Sequence, residues 1–323
     1  MQKKTRKTIF AVLATALCAS MFTACGGSHT VAFNAFWHKN VNVPNLGTEK
    51  LTYNVTFEED SGLGFGYSVK NATGTYTTLL TAYDNDEGKL TYRYETQLNI
   101  NIVYEFGDQQ AAFDDSVSSV VVFESATESL KPISSEKKIV SHSPANTTAT
   151  KLEDCYNKYE VEVKSDYKTK KSVVKTTLND KTDATSTTTA TIQSEENYTQ
   201  VDNEQLFLAL RGLNPSAAGS STLLVYAPFS GAAQQVGVSF SSEKSKNFTF
   251  VMNSAEQTNE ITYYPVTLSL NEKYSGAAQS LQIAKAVDPL NNTYRNVILQ
   301  YEVPMALNLG TLTYTLTQAE FMQ

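Results

Sequence analysis

Residues 90–106, LTYRYETQLNINIVYEF, decide the fold of this chain. Every second residue from Leu90 through Leu98 to Phe106 is aliphatic, aromatic or threonine, and most of the residues between them are polar. A period of two sustained over this length indicates a β-strand with one buried and one exposed face. At ~3.3 Å per residue the strand would extend roughly 55 Å, far beyond the usual five or six residues. Such a strand has to bend or curl around something, so we expect a curved sheet.

Shorter segments with the same alternation recur along the chain. The composition favours strands, because 18 tyrosines and 15 phenylalanines accompany plentiful threonine and valine. Turn residues separate the segments, as in Asp84–Gly88 and Asn291–Asn292. Neighbouring antiparallel strands of this kind give a meander. The other alternating segments begin at Leu51, Val236, Phe248, Val266, Val297 and Leu312.

One segment departs from the alternation and predicts a helix. In residues 202–215, DNEQLFLALRGLNP, Asp202 is a favourable N-cap and Gln205 resembles the second half of a capping box. Gly212 and Pro215 supply stop signals. The run 206–210 is apolar on nearly all sides, which predicts burial. We therefore predict a mainly β fold, in which a large curved antiparallel sheet, half-barrel-like, shelters one short buried helix.

Two stretches interrupt the pattern and are predicted to be exposed. Residues 141–150, SHSPANTTAT, are small and polar, and residues 179–191, NDKTDATSTTTAT, are rich in threonine. Either stretch is an exposed loop or a hairpin tip. Because the patterns on both sides are incomplete sheets, we expect a single β-rich domain over residues 46–323. A split into two domains near residues 141–150 is the alternative.

The N-terminus carries an export signal that ends at Cys25. A basic start is followed by an apolar run from Ile9 to Leu17 and by small residues directly before the cysteine. This arrangement is typical of a bacterial lipoprotein signal, with Phe22 standing where leucine is usual. An ordinary secretory signal, with Cys25 incidental, is the alternative.

Lipidation at Cys25 would tether the protein to a membrane. We expect cleavage of the signal peptide, residues 1–24, acylation of Cys25, and a tether over residues 25–45. Two or three acyl chains hold far more firmly than one. The domain would then lie on the extracytoplasmic side of the cell membrane, or on a periplasmic leaflet if there are two membranes.

The charge of the chain argues against nucleic acid as a partner. The formal net charge is −7, and loss of residues 1–24, with four basic and no acidic residues, takes it to −11. An acidic surface is repelled by phosphate backbones. Cys155 would be the only thiol beside the lipidated cysteine, so neither a disulfide framework nor a cysteine metal site is expected.

Side chains suited to catalysis are few. Of the three histidines, His29 and His38 lie in the tether and His142 in a polar stretch, which gives little basis for a triad or a two-histidine metal site. Residues 84–88, DNDEG, lack the spacing of a calcium loop. Acidic pairs such as Asp114–Asp115 face opposite sides of a strand. We predict solvated surface roles for these groups, and no enzyme activity, metal or cofactor.

An apolar cluster follows the anchor. It consists of Val31, Phe33, Phe36 and Trp37. Tryptophan is favoured at membrane interfaces, so the cluster could rest there. The favoured interpretation is that it packs as a lid on the sheet.

The second half of the chain resembles an uncharacterised family of exported bacterial lipoproteins, known as a domain of unknown function. The similar pieces are residues 113–123 (FDDSVSSVVVF), 130–133 (LKPI), 202–211 (DNEQLFLALR) and 310–316 (GTLTYTL). The resemblance implies a relation to the lipoprotein-carrier half-barrel. In that fold a curved antiparallel sheet shelters a helix and an apolar groove.

The pattern supports two main hypotheses of function. The first is a non-catalytic binding module for a lipid or other apolar ligand, held in a groove on the concave face. The second is a structural or protein-interaction lipoprotein of the cell envelope, in which the same residues form a filled core around the helix. An enzyme, the third hypothesis, lacks a nucleophile–base or metal constellation. The predicted groove residues are Tyr92, Tyr94, Leu98, Ile100 and Ile102.

Overall fold

The alternating stretch at residues 90–106 forms a single strand in a computed structural model of the protein. Buried side chains recur at every second position from Tyr92 to Tyr104, as the pattern predicts. The structure describes residues 31–33, 48–59, 67–124, 129–144, 156–213, 220–229, 231–270, 279–284, 294–305 and 309–322.

A continuous antiparallel meander forms one half of the sheet. Where the structure describes the connection, short turns join successive strands, as at Asn85–Gly88, where Gly88 has a φ of 70°. The eight strands are β1 (Thr48–Glu58), β2 (Tyr67–Asp84), β3 (Leu90–Phe106), β4 (Gln109–Glu124), β5 (Pro132–Pro144), β6 (Tyr156–Asp166), β7 (Lys171–Leu178) and β8 (Lys181–Thr191).

The other half of the sheet joins the meander through its last strand. That strand pairs antiparallel with β1 from Thr48↔Met322 to Glu58↔Thr311, which places β1 at the centre of a 16-stranded sheet. The remaining strands are β9 (Thr199–Asp202), β10 (Ser220–Ala227), β11 (Ala232–Phe240), β12 (Lys244–Met252), β13 (Ala255–Leu270), β14 (Gln279–Ala284), β15 (Ile298–Pro304) and β16 (Thr311–Met322).

Two parallel contacts complete the sheet. β9 pairs parallel with β10, and β12, which is antiparallel to β13, meets β16 in parallel at Val251↔Gln318. Since β13, β14, β15 and β16 are successive neighbours, this second contact closes a ring of five strands.

The short helix lies inside the curved sheet. A 3-10 turn, Asn203–Gln205, leads into α1 (Leu206–Leu210), whose side chains other than Phe207 are buried. Asp202 caps the turn, as predicted, by accepting a hydrogen bond from the Glu204 N–H at 2.8 Å. The predicted fold class, a large curved sheet around one short buried helix, is confirmed.

The threonine-rich stretch differs from the prediction. Only Asn179–Asp180 form a hairpin tip, with φ of 51° and 57°, and residues 181–191 are the strand β8. Positive φ at both central residues suits a two-residue hairpin. β-Branched threonine favours strands, and both faces of β8 are largely exposed, so no alternation marks it in the sequence.

Residues 141–150 lie only partly in the described chain. Residues 141–144 complete β5, and residues 145–150 are outside the described part. The strands before and after this stretch pair with each other from Ser134↔Asp166 to Pro144↔Tyr156. The same sheet therefore continues across it.

The described part of the tether packs against the domain. The N–H of Val31 donates to Thr199 Oγ1 at 2.8 Å, and that hydroxyl donates to the Val31 carbonyl at 3.1 Å. Phe33 is fully buried against Gly212, where an added Cβ would lie 3.2 Å from the Phe33 Cβ. Val31 and Phe33 thus pack against the sheet. Cys25, Phe36 and Trp37 lie outside the described residues.

No helix in the described ranges is both long enough and apolar enough to cross a bilayer.

Gly74 on β2 allows β3 to come close. A Cβ at this position would collide with the carbonyl oxygen of Asn99 and lie 2.9 Å from the Cα of Ile100. Both are backbone atoms of the ladder, so we predict that Gly74→Ala lowers the free energy of unfolding by about 2 kcal/mol. Urea denaturation of the mature chain measures it. Thr75→Ala, at the exposed neighbour, should change stability by less than about 0.5 kcal/mol. Equal midpoints for the two variants would contradict this packing.

Candidate functional site

The five predicted groove residues all lie on the inner face of β3, and all are buried. Tyr92 stacks on Phe123 with ring centroids 5.3 Å apart. Tyr94 is hydrogen-bonded to Tyr76 and Thr78, and burial raises the pKa of Tyr94 to about 12. The structure therefore brings the set together within the core; contact with a ligand stays a prediction. The residues are Tyr92, Tyr94, Leu98, Ile100 and Ile102.

Tyrosine rings fill the space between the sheet and α1. Tyr301 stacks on Tyr314 with centroids 4.3 Å apart and meets Phe207 of α1 at 4.8 Å. Tyr53 packs edge-on against Tyr301 at 5.8 Å, and Tyr76 against Tyr314 at 5.6 Å. Burial raises the pKa of these four tyrosines, so the phenols remain neutral. At this point the inner face is packed, with aromatic contacts in place of open space.

A buried ion pair fastens the end of α1 to the middle of the sheet. The Arg211 guanidinium binds both carboxylate oxygens of Glu49 on β1, from Nη1 at 2.7 Å and from Nη2 at 3.0 Å. It also donates to the carbonyls of Arg295 at 2.9 Å and Asn296 at 3.0 Å. The Asn296 side chain in turn donates to the Arg211 carbonyl at 3.0 Å. Both charged side chains are almost fully buried, at 3% and 1% exposure.

Polar contacts hold the start of the helical segment against β5. Glu204 accepts from Lys137 Nζ at 2.6 Å, in a pair that is largely buried. Gln205 donates from Nε2 to the Leu130 carbonyl at 2.8 Å, rather than closing the predicted capping box. Asp202 accepts from the Tyr167 hydroxyl at 2.6 Å. Burial raises the pKa of the Asp202 carboxyl, and bonds from Ser135 and Tyr167 oppose the rise.

Asp115 and His142 form a pair that the sequence analysis placed at the solvated surface, and that placement is wrong. The Asp115 side chain is fully buried and that of His142 is 18% exposed. Imidazole Nδ1 lies 2.7 Å from Oδ1 of Asp115, and the His142 N–H donates to the same carboxylate at 3.0 Å. Phe113 stacks on the imidazole at 4.5 Å. Burial raises the pKa of Asp115, and its bonds to His142 and Ser141 oppose that rise.

The alternation of buried and exposed residues along β4 indicates that Asp115 faces the interior. Asp115 occupies the same alternate positions as Val117 and Val121, which face the interior. His142 lies in β5 rather than in a loop. The pair accounts for a carboxylate placed in the core, because charge-assisted hydrogen bonds offset its loss of water.

A cleft of about 680 Å³ opens beside Val31 at one end of the curved sheet. Its walls come from the start of β5, the β6–β7 turn and the β8–β9 connection. Its lining combines apolar groups with charges of both signs, including Val31, Lys131, Lys170, Ile192, Glu195 and Tyr198.

The cleft is lined by two lysines and two glutamates, Lys131, Lys170, Glu195 and Glu196. Lys170 donates to the Ser194 hydroxyl at 3.0 Å. Within the described ranges, neither Lys131 nor Lys170 forms an ion pair with Glu195 or Glu196. Sequence reasoning missed this cleft because its walls come from four segments far apart in the chain.

Comparisons with known proteins show a likeness at the level of fold. No protein-family model matches the chain, and no curated protein matches it. Among solved structures it is similar to a beta-barrel-like protein of a domain of unknown function, DUF1849, from Brucella abortus. The two share 12% sequence identity over 86% of this chain and 98% of that chain, with a TM-score of 0.48.

The Arg211–Glu49 pair should be a large contributor to stability. We predict that Glu49→Gln lowers the free energy of unfolding by about 3 kcal/mol, because it leaves the guanidinium buried without a counter-charge. Glu87→Gln, which breaks the exposed pair of Glu87 with Lys89, is the control and should leave the free energy of unfolding nearly unchanged, because solvent screens this pair. Chemical denaturation measures both. A loss for Glu49→Gln no larger than the control's would show that Arg211 is solvated.

Asp202 gives stability a defined pH dependence. The pKa of the Asp202 carboxyl is higher in the folded than in the unfolded chain, so this carboxyl ionises at a lower pH in the unfolded chain. The free energy of unfolding therefore falls as pH rises from about 4, the ordinary pKa of aspartate, through the raised pKa of the folded state. We predict that Asp202→Asn weakens this fall. Asp166, whose pKa is lowered by hydrogen bonds from Thr169, is the control: Asp166→Asn should remove a rise in stability over the acid range. Urea midpoints measured across that range test both signs, and parallel curves for wild type and Asp202→Asn would contradict the burial of this carboxyl.

Proposed function

We propose that the chain is an exported lipoprotein, anchored to a membrane by acylated Cys25, whose domain is a non-catalytic binding module for a lipid or similar amphiphile. The observation that carries the proposal is the cleft beside Val31, where apolar side chains meet charged side chains that form no ion pair within the described residues. A site with both kinds of lining suits a ligand that has an apolar part and a polar end.

Because the inner face of the sheet is packed, the cleft beside Val31 is the better candidate for ligand binding. The residues first expected to form a groove are buried among aromatic rings and the helix. Ligand entry there would require the Arg211–Glu49 pair to open, at a cost of several kcal/mol. The cleft beside Val31 requires no such rearrangement.

Two observations on the described side chains bear on metal binding and on His142. The described ranges contain no group of three His, Cys, Asp or Glu residues placed to hold a metal ion. His142, the histidine in those ranges, is oriented by Asp115 and covered by Phe113.

A specific observation favours a second candidate, a protein-interaction lipoprotein. In the described sheet β8 pairs with β7 alone, so its other edge is available for pairing. From Ala184 to Thr191 this edge carries neither charge nor proline. Edges of this kind accept a further strand from a partner protein. Such a partner would occupy β8 and leave the cleft empty.

Native mass spectrometry tests the proposal. The mature chain with Cys25→Ser is exposed to bacterial lipid extract, and we expect a discrete added mass that matches a lipid. Ser194→Trp, which narrows the cleft, should abolish the added mass, whereas Ser186→Trp on the exposed face of β8 should leave it unchanged. If no lipid mass is added under conditions in which weakly bound detergent is retained, lipid binding is contradicted and the protein-interaction function is favoured.

A further inference from the structure

We propose that the cleft end of the domain rests on the headgroup layer of the membrane, and that the cleft takes the headgroup of a zwitterionic phospholipid, which carries one phosphate and one ammonium group. The inference rests on the proposed function, because it requires the anchor at Cys25. It adds an orientation for the domain and a chemical class for the ligand.

The short tether between Cys25 and Val31 determines which end of the domain faces the membrane. Val31 is fixed to the domain by its two hydrogen bonds with Thr199, and Phe33 is buried two residues later. Six residue steps separate Cys25 from Val31, and a chain spans at most ~3.3–3.6 Å per step, or about 20 Å in all. The 17-residue β3 is far longer, at roughly 55 Å. A tether this short holds the Val31 end of the domain next to the bilayer.

The strand order shows which turns share this end. Because the meander is antiparallel, the β2–β3 and β6–β7 turns lie at one end, and the β3–β4 and β7–β8 turns at the other. The β6–β7 turn is also a wall of the cleft. The β2–β3 turn therefore faces the membrane together with the cleft.

The side chains that line the cleft indicate the chemical class of the ligand. Lys131 and Lys170 offer ammonium groups to a phosphate, and Glu195 and Glu196 offer carboxylates to an ammonium. Val31 and Ile192 provide apolar surface for the glycerol end of the lipid. Charges of both signs that form no ion pair with one another in the described residues match a headgroup that also carries both signs. An anionic headgroup would satisfy the lysines and be repelled by the glutamates.

Matched labels at the two ends of β3 test the orientation. Asp86 and Asp108 are exposed acidic residues in the turns before and after this strand. A fluorophore is placed at Asp86→Cys or Asp108→Cys in the acylated Cys155→Ser chain, reconstituted in phosphatidylethanolamine–phosphatidylglycerol vesicles that contain a headgroup quencher. We expect strong quenching at position 86 and little at position 108. Equal quenching at both positions overturns the orientation.

The same samples separate this inference from the proposed function. An intact mass without acyl groups on Cys25 overturns the anchor itself, and the inference with it. An acylated chain with equal quenching overturns the orientation alone and leaves the binding module standing.

A titration with two soluble headgroup probes tests the ligand class. Soluble glycerophosphoethanolamine is titrated into the mature Cys25→Ser chain, with glycerol 3-phosphate as the probe that has a phosphate and no ammonium. We expect Lys131→Glu with Lys170→Glu to weaken glycerophosphoethanolamine binding by about fivefold or more. Lys138→Glu, on an exposed position of β5, should leave it unchanged. Equal affinity for the two probes, or equal loss in the control, overturns the zwitterionic assignment.

Discussion

The buried charge of Arg211 is the constraint on which the rest of the structure depends. A guanidinium removed from water is tolerated only where a counter-charge and further acceptors surround it. Glu49 supplies the counter-charge from the central strand β1, and the carbonyls of Arg295 and Asn296 supply the acceptors. These bonds join α1, the middle of the sheet and the turn before β15. They fix where the helix lies, and the tyrosine rings pack around that position.

This arrangement changes what the curved sheet can do. A half-barrel with a loose helix would offer its inner face to an apolar ligand, but here Phe207 and Tyr301 close that face. Binding is therefore proposed at the end of the sheet, where Val31 enters the domain and charged side chains of both signs line a cleft. The same end receives the chain from Cys25. The proposed anchor and the proposed binding site are thus separated by six residue steps along the chain.

Local pattern predicted the sheet well and the site poorly, for physical reasons. The alternation in residues 90–106 predicts the bounds of β3 and the buried face from Tyr92 to Tyr104, because burial of one face imposes the period, whereas Leu90 at the start of the strand is exposed. Asp202 was identifiable as a cap, since that bond is local. The threonines of β8 gave no period because neither face is buried. The partners of Arg211 and the walls of the cleft are distant in sequence, and no local pattern contains them.

Native-state hydrogen exchange on the mature chain tests the claim that the interior is permanently filled. The amides of Arg211, Gly212 and Leu213 donate to carbonyls within the helical segment, so their exchange reports its opening. We expect these amides to exchange only through global unfolding, with the same free energy and denaturant dependence as the amides of β1 and β3. Exchange through a smaller, denaturant-insensitive opening would show that the helix lifts from the sheet, and would return the inner face to consideration as a ligand groove.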